Sequence, residues 1–143
     1  MYNIDEGGFK TYSQYLFEGI KKNGVDITYS NKMDYKNYDV VHLMFDYSKF
    51  HPFGLGVIPL LAKLKLNGKK VVITFGVVQP KKGIYARNKI FTLIKKMTLP
   101  ITHRLLSMFS DKMIVMLSHL KEILVNDYRI NPRKVAVIAH GMF

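Results

Sequence analysis

A chain of 143 residues buries roughly two-thirds of the surface its unfolded form exposes, which supplies one core and not two. A hydrophobic fraction of 48% with 22% charged residues excludes the disordered and all-membrane classes, and the lack of cysteine excludes disulfides, thiolate nucleophiles and thiolate-held metals. The net charge of +12 comes from one segment: twelve Lys and Arg and no carboxylate lie between Asp46 and Asp111, while the rest balances at ten basic against ten acidic residues.

Met1 to Glu6 lacks the basic-then-apolar order of a signal peptide, and no apolar run reaches the ~18 residues that span a bilayer, so the expected compartment is the cytoplasm. Helical spacing of Tyr12, Tyr15, Leu16, Gly19 and Ile20 predicts a helix over Phe9 to Lys22, stopped at Asn23-Gly24 where a left-handed residue is needed. Val25 to Tyr29 then reads as a short strand, and Val40 to Phe45 as a buried one. Gly56 to Leu66 reads as a helix with a second Asn-Gly stop at Asn67-Gly68, followed by a buried strand over Lys70 to Phe75.

From Ile84 to Phe109 the pattern is helical, with Ile90, Ile94, Met97, Ile101, Leu105 and Met108 expected to face the core. Lys95, Lys96, Leu99, His103 and Leu106 are then expected to face solvent. Pro100 lacks an amide hydrogen and predicts a break near Thr98-Leu99. Lys112 to Leu117 forms the next predicted strand, with Ser118 as the N-cap of a helix over His119 to Tyr128. Asn131-Pro132 turns the chain into a last strand over Lys134 to Ala139.

This alternation predicts an α/β fold: a Rossmann-like parallel sheet flanked by helices, in a single domain. The first strand is short or missing. Either Tyr2-Asn3-Ile4 is its vestige, or the sheet has an unfilled central slot.

The five histidines lie in different elements, no metal-ligand spacing occurs, and neither a P-loop nor a complete dinucleotide-binding glycine motif is present. Gly7-Gly8 stands before a helix, where bare backbone and free first-turn amides favour a phosphate. The basic segment favours an anionic partner, whether membrane surface, nucleic acid or phosphorylated ligand, or else forms a solvated face or one covered by an acidic domain.

The run Glu6-Gly7-Gly8-Phe9-Lys10-Thr11-Tyr12 through Leu16, Gly19 and Val25 resembles the glycine loop and first helix of family 4 glycosyltransferases, the retaining enzymes of the GT-B fold. Ser110-Asp111-Lys112-Met113-Ile114-Val115-Met116-Leu117-Ser118 and Lys134-Val135-Ala136-Val137-Ile138-Ala139-His140-Gly141 resemble the two strands that close the family's N-terminal domain. Asp39-Val40-Val41-His42 and Lys70 to Phe75 fit the two strands between.

The resemblance implies that residues 1–143 are the acceptor-side domain of a two-domain transferase whose donor-binding domain is absent. It implies no cofactor, and a nucleotide sugar held through the missing domain. Gly7 and Gly8 would approach the donor diphosphate; Phe45, Asp46, Phe75, Gly76 and Ser118 would line the cleft. The family carries a histidine where this chain has Gly76, and the basic residue and glutamates of the second domain are missing, so the chain is expected to be inactive alone.

The basic stretch is expected to dock on the inner face of an anionic membrane through Lys81, Lys82, Arg87, Lys89, Lys95 and Lys96, with exposed Leu99 and Leu106. A lipid-linked or membrane-associated acceptor follows. Two other readings remain: a non-catalytic partner subunit of a split transferase, and a basic α/β nucleic-acid-binding module, which lacks an aromatic RNA-binding motif.

Overall fold

Continuous apolar runs bounded by Asn-Gly stops become buried parallel strands joined by helices. A computed structural model describes residues 8–29, 35–83 and 88–139 of the chain. The elements are α1 (Gly8–Lys22), β1 (Val40–Phe45), α2 (Ile58–Leu66), β2 (Lys70–Phe75), α3 (Lys89–Phe109), β3 (Lys112–Val115), α4 (Ser118–Glu122) and β4 (Val135–Val137), with short 3-10 turns before α2, at Lys81–Gly83 and before β4.

Both Asn-Gly stops form as their sequence predicts. Asn23 and Asn67 donate side-chain amides to the carbonyls of Gly19 and Lys63, and Gly24 and Gly68 take φ of 77° and 70°.

The four strands pair in parallel in the order β1-β2-β3-β4. Every crossover steps in the same direction, and right-handed crossovers therefore place α2, α3 and α4 on one face. The register stacks Leu43, Ile73, Met113 and Val135 in one row and Phe45, Phe75 and Val115 in the next. Leu61 and Leu64 of α2, Leu99 and Leu106 of α3, and Leu120 of α4 pack on these rows as one core. On the opposite face Tyr12 and Leu16 of α1 pack with Met44 and Met116.

Four elements depart from expectation: Val25 to Tyr29, Ser118, the helix after it, and α3. Val25 to Tyr29 forms no strand: it is coil, with Val25 and Asp26 exposed, and Tyr29 packs edge-on against Phe17 of α1 instead of pairing. No slot opens among the described strands, because β1 pairs with β2 along its whole length; Tyr2-Asn3-Ile4 lies outside the described residues. Ser118 is the first helical residue, and Leu117 occupies the cap position without a side-chain cap bond. The chain continues beyond α4 as a π-helical turn, Ile123–Asp127, that delivers Tyr128 into the core.

The fourth is α3. It runs unbroken through Pro100, because the burial of Leu99 and Leu106 on either side outweighs one lost hydrogen bond. Apart from Lys96, exposed as expected, and Leu105, which is half-buried, its faces are the reverse of those expected. Leu99, Thr102, His103 and Leu106 are buried, whereas Ile90, Ile94, Met97, Ile101 and Met108 are exposed. Both sets recur at helical spacing, so either could have faced the sheet.

Asp111 ties the amino end of the sheet. Its carboxylate accepts from Lys65 Nζ at 2.9 Å and from the Val71 amide at 2.8 Å, with Lys70 Nζ at 3.6 Å. Partial burial pushes its pKa up, but those two hydrogen bonds and the two ammonium charges prevail and hold it below the usual carboxylate range.

Candidate functional site

The site follows from a mismatch of lengths. The 21 residues of α3 span about 31 Å at ~1.5 Å per residue, whereas the six of β2 span about 20 Å at ~3.3 Å each. Since α3 runs back against the strands, its first half overhangs their carboxyl ends. Ile90, Phe91, Leu93, Ile94 and Met97 are accordingly exposed on more than one side of the helix.

Under this overhang lies a cavity of about 480 Å³. One wall is a strip of α3, Phe91, Lys95 and Leu99, spaced four residues apart on the face turned toward the sheet. The facing wall is the loop after β1, with Tyr47, Ser48, His51, Pro52 and Phe53, and Gln79 from the loop after β2 completes it.

Local chemistry fixes the loop. Asp46 Oδ1 accepts from both the amide and the hydroxyl of Ser48 at 2.8 Å, making a side-chain turn directly after β1. Gly54 has φ of 82°, and a Cβ there would approach the Phe45 ring to 2.6 Å, so this bend admits glycine alone without rearrangement. Thr102 Oγ1 lies 3.2 Å from the Phe53 carbonyl and 3.1 Å from the Thr98 carbonyl, so its one proton is shared between the loop and the helix backbone.

Behind the cavity a buried network joins four segments. His103 Nδ1 lies 2.8 Å from the Leu99 carbonyl, which only accepts, so Nδ1 carries the proton and Nε2 accepts from the Tyr47 hydroxyl at 2.7 Å. The Gln79 amide donates to the Tyr47 oxygen, and the Tyr128 hydroxyl donates to the Gln79 carbonyl. The Tyr128 ring stacks on His103 at 3.9 Å between centroids.

Burial lowers His103 to about 4 against the opposing Leu99 hydrogen bond, raises Tyr47, and raises Tyr128 to about 12. Both imidazole nitrogens are engaged and the ring is neutral at pH 7. The network therefore holds the loops around the cavity in place. On the other face of the sheet His42 bonds Thr74 at 2.7 Å and is also lowered by burial to about 4.

The sequence-derived cleft residues lie at or just after the carboxyl ends of β1, β2 and β3, and none of them lines the cavity. The Phe45 and Phe75 side chains are fully buried in the core, so the strand ends reach the rim through backbone only. Asp46 and Gly76 are half-buried at the rim, Ser118 is exposed, and Gly8 begins α1. Gly7 and Arg87 lie outside the described residues.

Of the basic set, Lys81 and Lys82 are exposed on a turn that contacts α3, and Lys89 and Lys96 are exposed on α3 itself. Lys95 turns to the cavity wall, and Leu99 and Leu106, expected outside, are core. Sequence reasoning missed Tyr47, Gln79, Phe91 and His103. Only His103 left a trace, sitting four residues after Leu99 on a helix.

Among the described residues no group of three or more His, Asp or Glu side chains gathers as a metal-ligand set, and no helix is long and apolar enough to cross a membrane. Comparison of the chain with known protein families, with curated proteins and with solved structures gives no match to any of them.

Proposed function

We propose that the chain is the acceptor-side, Rossmann-like half of a membrane-docked glycosyltransferase. The observation that carries the reading is the overhanging half of α3, which places exposed Ile90, Leu93, Ile94 and Met97 beside exposed Lys89 and Lys96, at the rim where open α/β sheets bind ligands. An apolar ridge with a basic flank matches an anionic bilayer and leaves the helix lying in its interface, not crossing it.

Glycosyl transfer itself is supported by the glycine-led first helix and the two closing strands, whose sequences resemble family 4 enzymes, and by the parallel order in which those strands fold. A donor-binding domain, or a second chain in its place, would supply the nucleotide sugar. Charge alone supports nucleic-acid binding, and the exposed apolar ridge opposes it.

Two measurements test the reading. The chain should float with vesicles containing anionic lipid and not with zwitterionic ones, and should lose flotation with Ile94→Glu; binding to duplex or single-stranded nucleic acid without flotation would replace the membrane by nucleic acid. In titrations with a panel of nucleotide sugars, one should move the amide resonances of Gly8, Gly76 and Ser118 together. A response limited to the Lys81-Lys82 turn would count against a transferase.

A further inference from the structure

We propose that the cavity beneath α3 binds a single-chain amphiphile with an anionic head, the chain lying against Phe53, Phe91 and Leu99 and the head pairing with Lys95. The inference rests on the transferase reading only in identifying this ligand as the acceptor. The binding itself is tested without it.

Size and lining come first. About 480 Å³ falls within the ~300–1,000 Å³ range of small-molecule pockets. Rings and aliphatic groups from α3 and the facing loop form most of the wall, which suits a short hydrocarbon chain.

Charge then selects the head. Lys95 lies half-buried on the inward strip of α3, with its ammonium 5.3 Å from the centroid of the Phe91 ring. The ion pairs among the described residues go to Lys65 and Lys70, both on Asp111, and none of the nine lining residues is acidic. A half-buried lysine whose ammonium lies over an aromatic ring, with no carboxylate among the lining residues, favours a ligand that brings its own negative charge. On the facing wall Ser48, whose hydroxyl already donates to Asp46, and Gln79 are neutral and add no competing charge.

Position supplies the route. The cavity lies under the part of α3 whose outer side is Ile90, Ile94 and Met97, so a chain leaving a bilayer contacted by those residues enters beside Phe91. Phosphate and carboxylate heads share this chemistry, and a lipid or a soluble acyl compound could carry either.

The test is calorimetric titration of the full chain with octyl phosphate below its critical micelle concentration, beside 1-octanol and inorganic phosphate. Octyl phosphate should bind with one-to-one stoichiometry, 1-octanol about ten-fold more weakly for want of a charge-assisted bond, and phosphate not measurably. Lys95→Gln should remove that ten-fold advantage while Lys96→Gln retains it, and Phe91→Ala should weaken both alkyl ligands.

Equal affinity for octyl phosphate and 1-octanol, or no binding of octyl phosphate to the native chain, overturns the proposal. Flotation of Lys95→Gln on anionic vesicles separates the two readings. Flotation near the native level supports a cavity lysine, whereas loss of flotation together with octyl phosphate binding places Lys95 in the bilayer interface and overturns it.

Discussion

The two halves of α3 are similarly apolar in sequence, but only the second has a buried face. From Leu99 to Phe109 the helix lies over β2 and β3 and buries Leu99, Thr102, His103 and Leu106; from Lys89 to Thr98 it has passed the strand ends and leaves Ile90, Phe91, Leu93, Ile94 and Met97 exposed. Which leucine or isoleucine is core is thus decided by the length of the neighbouring strand. The carboxyl half buries one apolar stripe in the core and leaves Ile101 and Met108 outside, whereas the amino half buries none of its large apolar side chains.

The largest expected contrast is in stability. Leu106→Ala should lower the unfolding free energy by about 3 kcal/mol through the cavity it leaves, whereas Ile94→Ala should stay within about 0.5 kcal/mol. Denaturant titration of the two variants checks this; similar losses would mean that both halves are packed.

A comparable effect is expected with pH. His103 and His42 are held neutral in the fold with pKa near 4, below the usual value near 6.5, so between these values the unfolded chain binds more protons. Stability is then full above about pH 6.5 and falls as pH drops toward 4, by on the order of 3 kcal/mol per histidine. Midpoints measured across that window should fall more gently in His103→Gln. An unchanged slope would show that His103 is already accessible to protons.

Smaller still is the consequence of filling the bend that closes the cavity. Gly54→Ala forces a positive φ and pushes on the Phe45 ring, and should cost about 1–3 kcal/mol. The smallest effect belongs to the basic flank. Lys96→Glu should weaken vesicle binding by about 1 kcal/mol or somewhat more, with no change in thermal midpoint.

The strands were legible because β1, β2 and β3 are buried on a sheet whose neighbours are strands of the same chain, leaving continuous apolar runs. The Asn-Gly stops were legible because left-handed backbone has few tenants. The faces of α3 were not, since Leu99 and Leu106 repeat with the same period as Ile94, Met97 and Ile101, and periodicity carries no sign. Val25 to Tyr29 misled for a related reason: alternation marks an extended segment, but a ladder needs a neighbouring strand.

The cavity was illegible altogether. Tyr47 and Gln79 come from loops without period; Tyr47 meets His103 across 56 residues of chain and Gln79 meets Tyr47 across 32, only once the sheet has formed. The Gly76 position, singled out from the resemblance, sits three residues before Gln79 on the loop that contributes to the cavity.

Amide hydrogen exchange along α3, with and without anionic vesicles, tests the central claim most directly. Peptides covering residues 89–97 should exchange quickly in the free chain and become protected on vesicles, while those covering 99–109 stay slow in both. Protection that rises equally in the two halves, or in neither, would contradict the division of α3 into a buried half and a docking half.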